Sequence, residues 1–405
     1  MSVVLYRTVL RRRFERQRRV ALLLLAAAAC TIAAPACVPT AWSHTSGRWV
    51  GTSVSDARFA RLRSGVNLSR WFTRLPGDSA DPDAVTGYNT ADDFRQIRAL
   101  GFQHVRLPVD PDRLFHPRDP SRVDGPYLEA LDRAVDSILG ADLAVIVDVH
   151  ARDGAPFKRK LEDDDRHVQR VAVFWEALAR HFSTRDPDRV FLEVMNESEV
   201  HDRGRWDQVQ ATLLAAMRRG APRHTLIVTG ARWGRAKDLA RLEPVADRNV
   251  VYDFHFYEPY EFTHQGANWA VHAWKYLHGL PYPSSVESVA PALDHIRSAR
   301  ARVVALRYGT EEWNADRIGD RIGEVSAWAS AHGVRVMCGE FGVYRNAPAT
   351  SRLAWLHDVR TQLERDGFGW SVWDYSSQTF GILEPSADTA RVADADVVRA
   401  LGVGR

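Results

Sequence analysis

The stretch Arg189-Val-Phe-Leu-Glu-Val-Met-Asn-Glu-Ser198 is an apolar run of strand length that stops abruptly at Asn196-Glu197. A carboxylate at the end of a buried strand loses solvation, so it belongs there only where something uses it. Far downstream, Arg335-Val-Met-Cys-Gly-Glu-Phe-Gly342 ends in the same way at Glu340. Two strands that each deliver one glutamate at the C-terminal end predict a pair of carboxyls facing a single pocket. From about Leu62 outward the chain alternates short apolar runs with longer amphipathic segments, the pattern of a βα repeat. The candidate strands are Ser64–Leu68, His104–Pro108, Ala144–Val149, Val190–Asn196, Leu226–Thr229, Val250–His255, Arg335–Gly339 and Phe368–Trp373. Helical patterns lie between them, among others Ala91–Leu100, Tyr127–Leu139, Val168–His181 and Ser351–Arg365. Asp92 and Asp93 suit the start of the first helix, and Gly101 suits its end. Eight strands separated by helices predict an α/β fold closing into a (β/α)8 TIM barrel. A doubly wound open sheet is the alternative, weakened because no glycine-rich phosphate loop follows the first strand.

One connection is anomalous. Roughly 80 residues separate the sixth and seventh candidate strands, far more than an ordinary loop. The expected organisation is therefore a single barrel domain over 45–405 with an insertion at about 258–315, closed by a return helix over Asp316–His332. Aromatic residues crowd the start of this connection: Tyr257, Tyr260, Phe262, Trp269, Trp274, Tyr276 and Tyr282. They have two readings, the packing of a small subdomain or a groove wall that stacks on sugar rings.

The formal net charge of +3 arises at one end of the chain. Residues 1–44 hold seven arginines and only Glu15 as an acid, so the remainder carries 47 basic and 50 acidic residues. The body shows no basic excess of the kind that nucleic acid would require. The arginines up to Arg19, the apolar run from Val20 and the small residues around Ala34-Pro-Ala36 have the layout of a signal peptide. Residues 1–44 are expected to be an export signal, or an N-terminal membrane anchor if uncleaved. The protein is then periplasmic or extracellular, and the expected state is a monomer. Only Cys338 lies beyond this segment, so no disulfide can form within the body, and about 360 residues suffice for a core without one.

The polar residues at the predicted strand ends are Asn67, Arg106, His150, Asn196 with Glu197, His255 with Tyr257, Glu340 and Trp373. In a barrel these ends meet at the mouth. A carboxyl pair in such a mouth is the equipment for glycosidic bond hydrolysis. No His-Glu-x-x-His, paired-cysteine or Gly-x-Ser-x-Gly pattern supports another chemistry, and no cofactor or metal is expected. The acidic run Glu162-Asp-Asp-Asp165 reads as a helix start, and Cys338 as a small core residue. Glu193 lies on the same nominal face as Glu197 and reads as a buried partner for a neighbouring charge. Strict alternation cannot turn both Asn196 and Glu197 inward, so the strand must bulge or turn there.

Together these residues resemble glycoside hydrolase family 5, the large cellulase family of clan A. The resemblance is carried by Gly65-Val-Asn-Leu68, His104-Val-Arg-Leu-Pro108, Val147-Asp-Val-His150, Met195-Asn-Glu197, Phe254-His-Phe-Tyr257, Gly339-Glu-Phe-Gly342 and Ser371-Val-Trp373, in that order. Ser198 departs from the proline that often follows the Asn-Glu pair in this family. The resemblance implies a retaining double displacement with Glu197 as acid/base and Glu340 as nucleophile. It also implies substrate-site roles for Asn67, Arg106, His150, Asn196, His255, Tyr257 and Trp373. Arg106 and Tyr257 are expected to hold Glu340, Asn196 the sugar 2-hydroxyl, and Trp373 the floor under the cleaved sugar. The expected partner is a β-glucan or related polysaccharide, and the expected activity is endo-β-1,4-glucanase (cellulase). The alternatives are a mannanase, a xyloglucanase, an exopolysaccharide-processing glycosidase, or a non-catalytic carbohydrate-binding barrel.

Overall fold

The computed structural model describes residues 53–73, 87–385 and 391–404, which belong to one compact unit. The expected export segment at 1–44 lies outside the described residues, as do its junction with the body and Cys30 and Cys37. Eight parallel strands pair in sequence order and close on themselves as β1 Gly65–Asn67, β2 His104–Val109, β3 Ala144–Val149, β4 Val190–Glu193, β5 Leu226–Thr229, β6 Val250–Phe256, β7 Arg335–Phe341 and β8 Gly369–Val372. Closure through the β1–β8 pairing excludes the open doubly wound sheet. Among the described residues, no helix is long and apolar enough to cross a membrane.

The helices form where the sequence can cap and bury them. Asp164 caps the helix Asp165–Phe182 by accepting the His167 N–H at 2.9 Å, so the acidic run does open a helix. That helix buries Val168, Val171, Trp175, Leu178 and Phe182 at helical spacing. Pro126 sits in the first turn of Pro126–Gly140, where its missing N–H leaves no bond unmade. Two indoles tie helices to strand ends: Trp175 donates to the Val194 carbonyl and Trp206 to the Thr229 carbonyl.

Period-two alternation sorts the inward-facing residues into tiers. The lowest is apolar: Ala144, Ile146, Phe191, Ile227, Val251 and Met337 pack with Val54, Phe59 and Leu62, which the helix Asp56–Ala60 and its flanks bring to the bottom of the barrel. One step along each strand comes a charged tier of Asn67, Arg106, Asp148, Glu193 and Asp253, all buried. Above it the strand ends open into the mouth.

The long sixth connection carries the helices Val286–His295 and Ala299–Glu311 before the return helix Ala315–His332. Its first turn is bound to the loop beyond β7, and that loop to the one beyond β8: the Tyr344 N–H donates to the Thr263 carbonyl, and the Arg345 N–H to the Thr379 carbonyl, both at 2.8 Å.

Candidate active site

Two local departures from regular strand geometry aim the glutamates. β4 leaves the ladder at Glu193, earlier than the sequence suggests, and Glu197 takes a left-handed backbone with φ 39°. A residue other than glycine seldom holds that conformation, and fixed neighbours hold it here. Asn196 N–H donates to the Val149 carbonyl at 2.9 Å, and Trp233 N–H to the Ser198 carbonyl at 2.7 Å. On β7 the register with β6 slips at Gly339, so that His255 stands opposite Glu340. Side chains of the charged tier hold the slipped peptide: its N–H donates to Asp253 Oδ1 at 2.5 Å, and its carbonyl accepts from Asn67 Nδ2 at 2.9 Å. The alternation problem at Asn196-Glu197 is thus solved by a turn, and a bulge forms on the other glutamate's strand instead.

One oxygen of Glu197, one of Glu340 and one His255 nitrogen all lie within 4.8 Å of one another. Glu340 accepts from Arg106 at 2.8 Å and from Tyr257 Oη at 2.9 Å, and His255 Nδ1 lies 3.6 Å away. Glu197 faces His255 Nδ1 at 2.9 Å. Burial, with Glu197 close by, pushes the Glu340 carboxyl up to about 7 against the pull of His255 and Arg106. Burial pushes Glu197 up as well, but the His255 contact outweighs it and holds Glu197 down to about 2. At this distance the two carboxyls share one proton, and the surrounding donors decide where it sits. A charge on Glu340 is met by Arg106, Tyr257 and His255, whereas a charge on Glu197 is met by His255 alone. We therefore place the shared proton on Glu197.

Arg106 is the centre of the charged tier. Its guanidinium takes Glu193 with both arms at 2.8 and 2.7 Å, Asp148 at 3.0 Å and Asn196 Oδ1 at 3.0 Å. Glu193 is thus the buried partner expected of it, below the mouth. Asn67 and Arg106 need correction as substrate-binding residues. Both are wholly buried, and their polar atoms are engaged by the protein: Asn67 accepts from Arg106 at 3.0 Å while donating to Gly339 and Val372. They shape the carboxyl pair and are out of reach of a ligand. His150 sits at the mouth, held by Asp148 at 2.8 Å and stacked on the half-buried Trp373 at 5.9 Å between centroids. Burial keeps its imidazole well below the usual histidine range. Asn196, His255, Tyr257 and Trp373 join the same mouth.

Sequence reasoning missed Asp148 and Asp253, although each stands two residues before a mouth histidine and therefore on the same strand face. It also missed Lys158, which the helix Pro156–Arg159 buries completely and whose charge acts on both Glu197 and His150. No spacing signals that lysine.

A family model described as Cellulase (glycosyl hydrolase family 5) matches residues 65–379, most of the chain. The chain belongs to glycosyl hydrolase family 5. This family 5 protein is 25% identical over 325 residues to Endoglucanase C of Acetivibrio thermocellus, a match covering 79% of this chain and 93% of that one. It is also 25% identical over 341 residues to Endoglucanase 3 of Fibrobacter succinogenes, covering 80% and 50%. Among solved structures, endoglucanase Cel5A of Thermotoga maritima superposes with a TM-score of 0.67 at 22% identity, covering 85% of this chain and 98% of that one. The cellulose synthase subunit Z of Clostridioides difficile superposes with a TM-score of 0.68 at 23% identity, covering 84% and 99%. These likenesses support the barrel fold, and family membership makes the protein a glycoside hydrolase.

Proposed function

We propose that this family 5 hydrolase is an exported retaining endo-β-1,4-glucanase in which Glu197 and Glu340 carry out a double displacement. The observation that carries this reading is the carboxyl pair, with oxygens within 4.8 Å. Retaining glycosidases hold their carboxyls about 5 Å apart, whereas inverting ones need about 6.5–9.5 Å to admit a water between. Glu340 attacks the anomeric carbon while Glu197 gives its proton to the departing glycosidic oxygen, leaving a glycosyl ester on Glu340. Glu197, now ionised, takes a proton from an incoming water. That water attacks the same carbon, and Glu340 leaves as a carboxylate. Arg106 and Tyr257 hold the nucleophile as it cycles between anion and ester. Glucan as substrate rests on the named relatives, and export on the N-terminal arginine-rich and apolar segments.

Glu197→Ala is the direct test of the roles. Hydrolysis of barley β-glucan should fall about 10³-fold. An aryl cellobioside with an acidic phenol as leaving group needs little protonation, so it should still give a burst of phenol as the glycosyl ester accumulates. Equal loss on both substrates would remove Glu197 from the acid/base role.

The substrate groove has an aromatic wall built largely by the insertion. Tyr260 and Trp274 stack at 5.7 Å with planes 5° apart, and Tyr257 meets Phe380 edge-on at 6.3 Å. Trp269 stands at the outer end, leaning on Tyr344 at 5.2 Å and Phe380 at 6.5 Å while 55% exposed. An indole left that open beside the mouth offers its face to a sugar ring. Trp269→Ala should raise KM for polymeric β-glucan roughly fivefold to thirtyfold through the lost stacking. An aryl cellobioside, which presents fewer rings to the wall, should be affected less. A panel of β-glucan, glucomannan, galactomannan and xyloglucan run beside it distinguishes glucanase from the alternatives, and an unchanged KM for polymeric β-glucan would exclude Trp269 from the groove.

A further inference from the structure

β3 and β6 carry the same local pattern, Asp148-Val-His150 and Asp253-Phe-His255. In each, alternation puts the aspartate directly beneath the histidine. The two aspartates are otherwise engaged differently. Asp148 Oδ2 is shared between Arg106 at 3.0 Å and His150 at 2.8 Å. Asp253 Oδ1 takes the Gly339 N–H at 2.5 Å, and Oδ2 has no hydrogen bond of normal length but lies 3.4 Å from His255 Nε2. The other imidazole nitrogen, Nδ1, faces Glu197 at 2.9 Å and Glu340 at 3.6 Å. With the Asp253 carboxylate before Nε2 and the Glu340 carboxylate within 3.6 Å of Nδ1, the doubly protonated ring gives each charge an N–H, whereas neutral imidazole offers only one.

Room for the lower carboxylate exists because residue 339 is glycine: a Cβ there would stand 2.5 Å from Asp253 Oδ2. The residue before Glu340 therefore has no side chain for the sake of an aspartate on the neighbouring strand. Such a built contact is more than a strand needs to pack.

We propose that Asp253 is a positioning residue of the hydrolysis, holding His255 as an imidazolium and through it setting where the proton of the Glu197–Glu340 pair resides. The proposal rests on the roles given above to the two glutamates. The groups around the ring are Asp253 from its own strand, Glu197 beyond β4 and Glu340 from β7. Asp253 is faced in turn by Glu193 of β4, Asp148 of β3 and Cys338 of β7, while Arg106 of β2 neutralises Glu193 and Asp148. Burial alone would strip the proton from His255, but Glu340, Asp253 and Glu197 outweigh it and hold the ring charged well above the usual histidine range. During the first displacement Glu340 loses its charge as the ester forms and Glu197 gains one as it gives up its proton. The cation lies within reach of both carboxylates, so it follows the negative charge from one to the other without moving.

Asp253→Asn is the test. The amide oxygen can still accept the Gly339 N–H, and the amide N–H then points at His255 Nε2, which must accept and so leaves the ring neutral. A neutral ring keeps its Nδ1–H but loses the positive charge that favours both carboxylates, so both limbs of the pH profile of kcat/KM should move up by about one pH unit. A purely structural role would lower activity at every pH and leave the limbs in place. A second measurement uses the wild-type chain, so it does not depend on the variant folding. In protein labelled with ¹⁵N-histidine, the resonances lost in His255→Gln should report both nitrogens still protonated well above the usual histidine range. Unmoved limbs in Asp253→Asn, or a wild-type His255 that titrates in the ordinary histidine range, would overturn the proposal. Full activity in both Glu197→Ala and Glu340→Gln would instead overturn the assignment of the pair, whatever Asp253 does.

Discussion

Glu340→Gln is expected to abolish hydrolysis of every β-glucan tested, by on the order of 10⁵-fold or more, while the protein folds and still binds glycan. The nucleophile is lost because an amide oxygen forms no stable glycosyl ester. The fold survives because the amide keeps the shape: its oxygen can accept from Arg106, and its N–H can reach the Tyr257 oxygen. The variant should even be the more stable protein near neutral pH. Two carboxyls buried side by side keep one proton between Glu197 and Glu340 up to about pH 7 in the folded chain. The folded protein therefore binds a proton that the unfolded chain releases in the ordinary carboxylate range. The stability linked to that proton is complete in acid and is lost as pH rises through about 7. In the variant Glu197 has no second carboxylate beside it and ionises against His255, so this loss does not arise. The difference in Tm between variant and wild type should thus grow from about pH 4.5 to 7 and vanish in stronger acid. Isothermal titration with cellotetraose, melting curves across that range and reducing-sugar release together check the prediction. Residual turnover near the wild-type rate would place the nucleophile elsewhere.

Arg106→Met should have the largest effect on the fold. Methionine fits the stem of arginine and removes the charge, leaving Glu193, Asp148 and Glu340 without the guanidinium that now lies within 3.0 Å of each. Removing one partner of a buried ion pair costs about 3–5 kcal/mol, and here three carboxyls lose the same partner. A fall in Tm of roughly 10 °C or more follows for a domain of this size. The pH dependence should have a definite sign. The orphaned carboxyls take up protons in the folded state, so the variant recovers part of its loss towards pH 4.5 and is least stable above neutrality. Arg106→Lys keeps a charge but cannot span Glu193 with two parallel bonds while reaching Glu340, so it should fall between wild type and the methionine variant. A Tm unchanged in Arg106→Met would mean that the charged tier does not hold the barrel.

Much of this molecule is legible in its sequence, because a (β/α)8 barrel repeats one simple signal. The strands are apolar runs, and all eight lie where those runs predict, with ends moved by no more than a few residues. The largest displacement is at β4, where pairing stops at Glu193 although the apolar run continues to Met195. Hydrophobicity reports burial, and Val194 and Met195 are fully buried, but it does not report the turn that swings Glu197 into the mouth. Glu197, Glu340, His255 and Tyr257 are found because they punctuate strand ends. The depth of Asn67 and Arg106 is not found, because accessibility depends on neighbours from other strands. Asp253 is hidden for a similar reason. Its partner Gly339 lies 86 residues away and reveals itself only by the side chain it lacks.

The tiers have a consequence for how such a protein can change. The charged tier is carried by strands whose inward positions constrain one another: Gly339 leaves room for Asp253, Asn67 holds the Gly339 carbonyl, and Arg106 joins four strands. A substitution in that network is answered by several residues at once, so it must be inherited nearly whole. The insertion meets the rest of the mouth chiefly through surfaces, with Trp269 resting on Tyr344 and Phe380. New wall residues can be tried there one at a time while the carboxyl pair keeps its geometry. A change in the wall is thus borne locally, whereas a change beneath the carboxyl pair is felt across the whole barrel mouth.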